Sequence, residues 1–212
     1  MLPIFGLGLL LGMQHATDAD HLAAVATLAT GEYPLARALQ LGAVWGLGHT
    51  LVLLVVAAVV AGLGWGIPSQ WAIRFEQAVG VMLVALGARL AWRLSTGLGP
   101  GGLREPPLRG AELPGHRLPA GSMLVGMVHG LAGSAALILL AAGALPTPAA
   151  QLAYIAVLGV GSIAGMALLT GALSLALQLT ARRLTALRHG FGVLVACASI
   201  AIGLHLLASP AS

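Results

Sequence analysis

The segment Gly12-Met13-Gln14-His15-Ala16-Thr17-Asp18-Ala19-Asp20-His21 holds two of the chain's six acidic residues and two of its seven histidines within the seven positions from His15 to His21. It lies inside an apolar stretch, and no lysine or arginine precedes Arg37. One ionised carboxylate at bilayer depth costs roughly 3 kcal/mol even on the lenient insertion scale. Two therefore need a counter-charge, and a divalent cation supplies it. The alternative is a polar cluster that joins helices by hydrogen bonds, or a proton relay; the density of His and Asp favours the cation. Imidazoles mixed with carboxylates suit Ni²⁺, Co²⁺, Zn²⁺ or Cu²⁺ better than Mg²⁺ or Ca²⁺, which take all-oxygen shells. No thiolate lies near, which argues against Cu⁺.

Two further histidines fall within apolar stretches. His49 lies in Trp45-Gly46-Leu47-Gly48-His49-Thr50, where the glycines permit close helix approach, and it is a candidate ligand from a second helix. His129 lies in Gly126-Met127-Val128-His129, without an acid nearby; a ligand or gate role competes with simple helix packing. The candidate metal ligands are thus His15, Asp18, Asp20, His21, His49 and His129. Met13 and Met127 read as packing residues. Cys197 reads as inert, and His116, His189 and His205 receive no role. Glu76 beside Arg74 reads as a surface pair at a helix entrance.

Helical geometry constrains the first group. At about 100° per residue, His15, Asp18 and His21 fall at about 0°, −60° and −120°, on one face, while Asp20 falls near +140°. A regular helix cannot aim all four at one ion. Either the span is broken near the cluster, or Asp20 bonds to a ligand and not to the ion.

The elements that must position these residues are membrane spans. The chain has 212 residues, 58% of them hydrophobic and only 8% charged. A soluble enzyme, a nucleic-acid binder and a disordered chain are excluded by that composition. A single cysteine excludes a disulfide framework and an iron–sulfur cluster. Six stretches are long and apolar enough to span: Pro3–Leu28, Ala38–Gly64, Ile73–Leu94, Ser122–Leu145, Ala149–Leu179 and Phe191–Leu207. The first has no basic region or cleavage site and is expected to be retained, not removed as a signal peptide. Between the third and fourth spans, residues 97–119 form a Gly-, Pro- and Arg-rich linker.

Nine of the ten arginines flank the first, third and fifth loops, leaving Arg74 alone on the other side. The arginine-rich side is expected to be cytoplasmic, which puts the 97–119 loop inside and both termini outside. Trp65 and Trp71 then mark the outer interface, and Tyr33 and Trp92 the inner one. The halves also resemble each other. Gly12 and Gly126 are 114 apart, Gly46 and Gly159 are 113 apart, and Gly80 and Gly192 are 112 apart. Three ordered matches at near-constant spacing indicate a duplicated three-helix unit. Because three is odd, the copies must be inverted, an arrangement typical of transporters with a midplane site. The fold expected is all-α and membrane-integral, six helices as two inverted repeats, with residues 1–96 and 120–212 as the copies.

With these residues in place the chain resembles the NiCoT nickel/cobalt permeases, whose His-x-x-x-x-Asp-His signature is present here from His15 to His21. Trp45–Thr50 resembles their second motif, a Leu-Gly-His-Ser/Thr string. The likeness is greatest to the short UreH-type members, through the block Gly126–Ala136. The resemblance ties His15, Asp20, His21 and His49 to metal selection and transport. The chain lacks the first span of full-length members and the acidic motifs of their second half, so no second-half ligand carries over. The resulting expectation is a permease of the cytoplasmic (inner) membrane, importing Ni²⁺ or Co²⁺ as substrate. It holds no permanently bound cofactor, its partners are the divalent ion and the lipid bilayer, and it takes no nucleic acid. Metal efflux is the nearer alternative, although the loop carries only His116. An intramembrane metallo-enzyme is the more distant one, for nothing nominates its general base.

Overall fold

A computed structural model describes residues 2–29, 34–63, 69–96, 120–131, 143–181 and 185–208. Among them are seven helices: α1 Leu2–His15, α2 Ala19–Ala29, α3 Leu35–Leu63, α4 Ser69–Ser95, α5 Ala120–His129, α6 Pro148–Ala181 and α7 Thr185–Ala208. In hydrocarbon the helix satisfies every backbone group within its own segment, which is why the long apolar runs adopt it. Four of these helices, α3, α4, α6 and α7, are long and apolar enough to cross a bilayer.

The other two expected spans do not appear as single helices. The first is divided at Ala16-Thr17-Asp18 into α1 and α2. Thr17 N donates to Gln14 O (2.8 Å), Asp18 N donates to His15 O (3.1 Å), and the Thr17 hydroxyl also donates to Gln14 O (2.6 Å), closing the last turn of α1. Leu22 N then donates to Asp18 O (2.8 Å), making Asp18 the residue that starts α2. Thr and Asp are weak in a helix interior and favoured at its start, so the break falls where the polar residues are. In the fourth expected span the helix runs only to His129 and gives way to a turn at Gly130-Leu131. The remainder of that span from residue 132 to 142 lies outside the described residues, as do the 97–119 linker, Tyr33, Trp65, Arg182 and Arg183.

Helix α3 packs along α6 and α4 along α7, while α1 lies on α6 and α5 on α3; α2 touches α4, α6 and α7. The centre is formed by Trp45, Met166, Val79, Leu83, Ala23, Ala24 and Val25. Outward faces remain apolar, with Leu10, Val55, Val160, Leu179 and Leu194 exposed, as lipid-facing surfaces require. Lipid gives no hydrophobic drive between helices, so close backbone packing and buried hydrogen bonds must hold them. Ser122 Oγ donates to Leu41 O (2.7 Å), joining α5 to α3, and Thr50 Oγ1 donates to Gly159 O (3.2 Å), joining α3 to α6.

The closest packing repeats. A side chain at Gly12 would strike the Leu158 carbonyl, and one at Gly126 would strike the Trp45 carbonyl. Likewise Gly161 backs onto the Leu9 carbonyl and Gly48 onto the Met123 carbonyl. Each pair in the first half maps onto one in the second at the offsets of 113 and 114 that relate the two halves of the sequence. Near the start of α4, Glu76 is not at the surface, where the sequence places it in a pair with Arg74. The Arg74 guanidinium lies 5.4 Å from the centre of the Trp71 ring, while Glu76 is buried. Trp71 and Trp92 are both exposed, and so is Cys197 on α7.

Candidate metal centre

The break in the first expected span brings the candidate residues together. Ending α1 at His15 and restarting the helix at Ala19 turns Asp20 away from the position a regular helix would impose. Asp20 now lies against His21 and His129, with Oδ1 3.0 Å from His21 Nδ1 and Oδ2 3.5 Å from His129 Nε2. Both possibilities left by the helical geometry are therefore present: a non-helical turn, and a carboxylate bonded to a histidine.

Four histidines meet here from three separate stretches of chain. His15 ends α1, His21 lies in the first turn of α2, His49 is midway along α3, and His129 ends α5. All four are buried. The His21 ring lies 4.5 Å from that of His15, 5.2 Å from His49 and 4.6 Å from His129, centre to centre. His15 and His49 oppose each other with Nε2 atoms 3.2 Å apart. Two nitrogens bound to one ion at about 2.0–2.1 Å lie about 2.8–3.4 Å apart for bond angles between 90° and tetrahedral. The pair is already at that separation.

The two carboxylates orient rings. Asp18 Oδ2 accepts the Nδ1–H of His15 at 2.9 Å, and Asp20 Oδ1 accepts that of His21 at 3.0 Å. An ionised carboxylate only accepts, so each bond leaves the lone pair of its imidazole on Nε2. This is the carboxylate–histidine arrangement that fixes ligating imidazoles in metal sites. Several ring nitrogens remain unused. His21 Nε2, His49 Nδ1 and both ring nitrogens of His129 are buried without a hydrogen-bond partner. Buried polar atoms are rarely left so, and unused nitrogens converging on one region suit a cation.

Two sets of donors are close enough to hold an ion. They are His15, His21 and His49, and Asp20, His21 and His129, with the donor atoms in each set within 4.8 Å of one another. All six candidate residues from the sequence lie in this one region, with Asp18 at its more exposed edge. Trp45 is a member of the site that the sequence reading missed. Its ring is 5.5 Å from His21 and 5.6 Å from His129, and its Nε1 is buried without a partner. The available signal was its position four residues before His49, on the same helix face. Ser162, which occupies the place of His49 in the second half, is buried in α6 with its hydroxyl also unpartnered.

Known proteins bear on this geometry. The sequence model of a family described as high-affinity nickel-transport protein (NicO) matches residues 2–94, which contain five of the six candidate residues. The urease accessory protein UreH of Bacillus sp. (strain TB-90) is 29% identical over 213 residues, covering 98% of this chain and 91% of that protein. No solved structure matches the chain. From residue 2 to residue 94, through the broken stretch and the helix that carries His49, the chain is similar to the NicO family of high-affinity nickel-transport proteins.

Proposed function

We propose that this chain carries Ni²⁺ into the cell as a secondary transporter, using the histidines and aspartates at the broken first span to replace the ion's water. It is a transporter and not an enzyme. The observation that carries the reading is the convergence of four buried histidines, two of them held by carboxylates, at a break within a membrane span. Non-helical backbone at bilayer depth is tolerated only where it is buried in protein or lines a water-filled passage.

Import is energetically sufficient without ATP. An inside-negative potential supplies about 2.3 kcal/mol per charge per 100 mV, or about 4.6 kcal/mol for a divalent ion. The arginine distribution supports a cytoplasmic 97–119 loop with both termini outside. The matched glycine–carbonyl pairs support two inverted copies, residues 1–96 and 120–212. His15, Asp18, Asp20, His21, His49 and His129 form the metal site, with Asp18 acting through His15. Co²⁺ shares this donor preference and is the alternative substrate.

The test is uptake into vesicles under an imposed inside-negative potential. Wild type should accumulate Ni²⁺, and His15→Ala and His21→Ala should each abolish uptake while remaining inserted and helical. Wild-type transport by the well-expressed double variant would eliminate the site. Extrusion of the ion against that potential would reverse the direction.

A further inference from the structure

The two donor sets overlap at one residue, which makes them more than a single large site. We propose that the broken-span region offers an ion two alternative positions that share His21, one framed by His15, His21 and His49 and the other by Asp20, His21 and His129. Transported Ni²⁺ passes between them, one ion at a time. The inference rests on the proposed transport of Ni²⁺ and specifies the ion's route through that site.

Different residues frame the two positions. His15 and His49 face each other with their Nε2 atoms 3.2 Å apart. The His129 ring lies 4.6 Å from the His21 ring, and Asp20 Oδ2 lies 3.5 Å from His129 Nε2. Each donor set is compact, within 4.8 Å. His129 is the second, independent sign of a position beyond the first. It is 1% exposed, and neither ring nitrogen has a hydrogen-bond partner. A histidine kept only for packing would leave Nδ1 desolvated without return and Nε2 with nothing nearer than the Asp20 carboxylate at 3.5 Å.

The chemistry makes the positions exclusive. A neutral imidazole has one N–H and one lone pair, so His21 can serve one ion at a time. Asp20 holds its Nδ1–H in the arrangement observed, which commits Nε2 to whichever position is filled. The positions also differ in kind. The first offers three nitrogens. The second offers two nitrogens and a carboxylate oxygen, bringing a negative charge directly to the ion. Passage from one to the other exchanges His15 and His49 for Asp20 and His129 while His21 stays attached, so the ion is never stripped of all its protein ligands at once.

The experiment uses the full-length chain, with Co²⁺ as an optical probe of binding in detergent and Ni²⁺ uptake in vesicles. Wild type should bind a single equivalent of Co²⁺. In His129→Ala and in the bulkier His129→Gln, affinity should fall by no more than about threefold, while uptake falls at least about tenfold, the low end of what a supporting metal-site residue contributes. The Co²⁺ absorption of His129→Ala should differ in band position from that of His49→Ala, because each variant leaves a different donor set. Two equivalents bound together in wild type would overturn exclusivity. Uptake by both His129 variants at the wild-type rate would overturn the second position, and so would joint loss of binding and uptake in both, which marks a single site. A wild type that neither binds nor carries Ni²⁺ would instead defeat the transport reading itself.

Discussion

Replacing Asp18 and Asp20 by asparagine separates the work of the two carboxylates. Asparagine keeps an oxygen that can accept an imidazole N–H but removes the charge that strengthens the bond and raises ligand basicity. Losing such a partner in a metal site costs about 10- to 100-fold in affinity, or about 1.4–2.7 kcal/mol. Asp18 is 44% exposed at its side chain and touches one histidine at 2.9 Å. Water screens that pair, so Asp18→Asn belongs at the lower end, near tenfold. Asp20 is 19% exposed and faces two histidines, His21 at 3.0 Å and His129 at 3.5 Å. Asp20→Asn belongs at the upper end, near 100-fold. Titration of the detergent-purified protein with Ni²⁺ against a chromophoric chelator measures both. If both variants bind within about threefold of wild type, or if Asp18→Asn is the more damaging, the carboxylates do not act on the ion through these imidazoles.

His49→Ala should weaken Ni²⁺ binding in the same titration, whereas His49→Gln should retain part of it through its amide oxygen; equal loss in both would show that a donor at this position does not matter. Ser122→Ala removes the 2.7 Å bond to the Leu41 carbonyl and should destabilise the protein by about 0.6–1.7 kcal/mol, read as a lower thermal unfolding midpoint with Ni²⁺ affinity unchanged. Reporter fusions after Leu108 and at the C-terminus should report cytoplasmic and external locations respectively. A cytoplasmic C-terminus would defeat the arginine-based topology.

The site is more legible in the sequence than the fold around it. Density of His and Asp in an apolar stretch carries a cost that only function explains, so His15 to His21 stand out in the sequence. The helical angle of Asp20 goes further, since it requires either a break or a second role, and the structure has both. His129 is ambiguous in the sequence because its partners come from α2 and α3, far away along the chain. Helix interruptions are hard to read for a different reason. Hydropathy integrates over about twenty residues, and Ala16-Thr17-Asp18 is too short to lower the average. Glu76 and Arg74 show that adjacency in sequence does not fix exposure. Residues two apart on a helix point to different sides, which sends Arg74 to the Trp71 ring and Glu76 inward.

The glycine seams between α1 and α6, and between α5 and α3, have a consequence for insulation. A carrier that works on membrane potential is useful only if protons and sodium cannot leak beside its cargo. Where Gly12 lies on the Leu158 carbonyl and Gly126 on the Trp45 carbonyl, there is no room for one added methyl group. A seam that cannot admit a methyl cannot admit a file of water molecules, and without water an inorganic ion has nothing to carry its charge through hydrocarbon. Enlarging either glycine would therefore do more than loosen packing. It would wedge open a wet crevice alongside the histidines and dissipate the potential on which the proposed import depends.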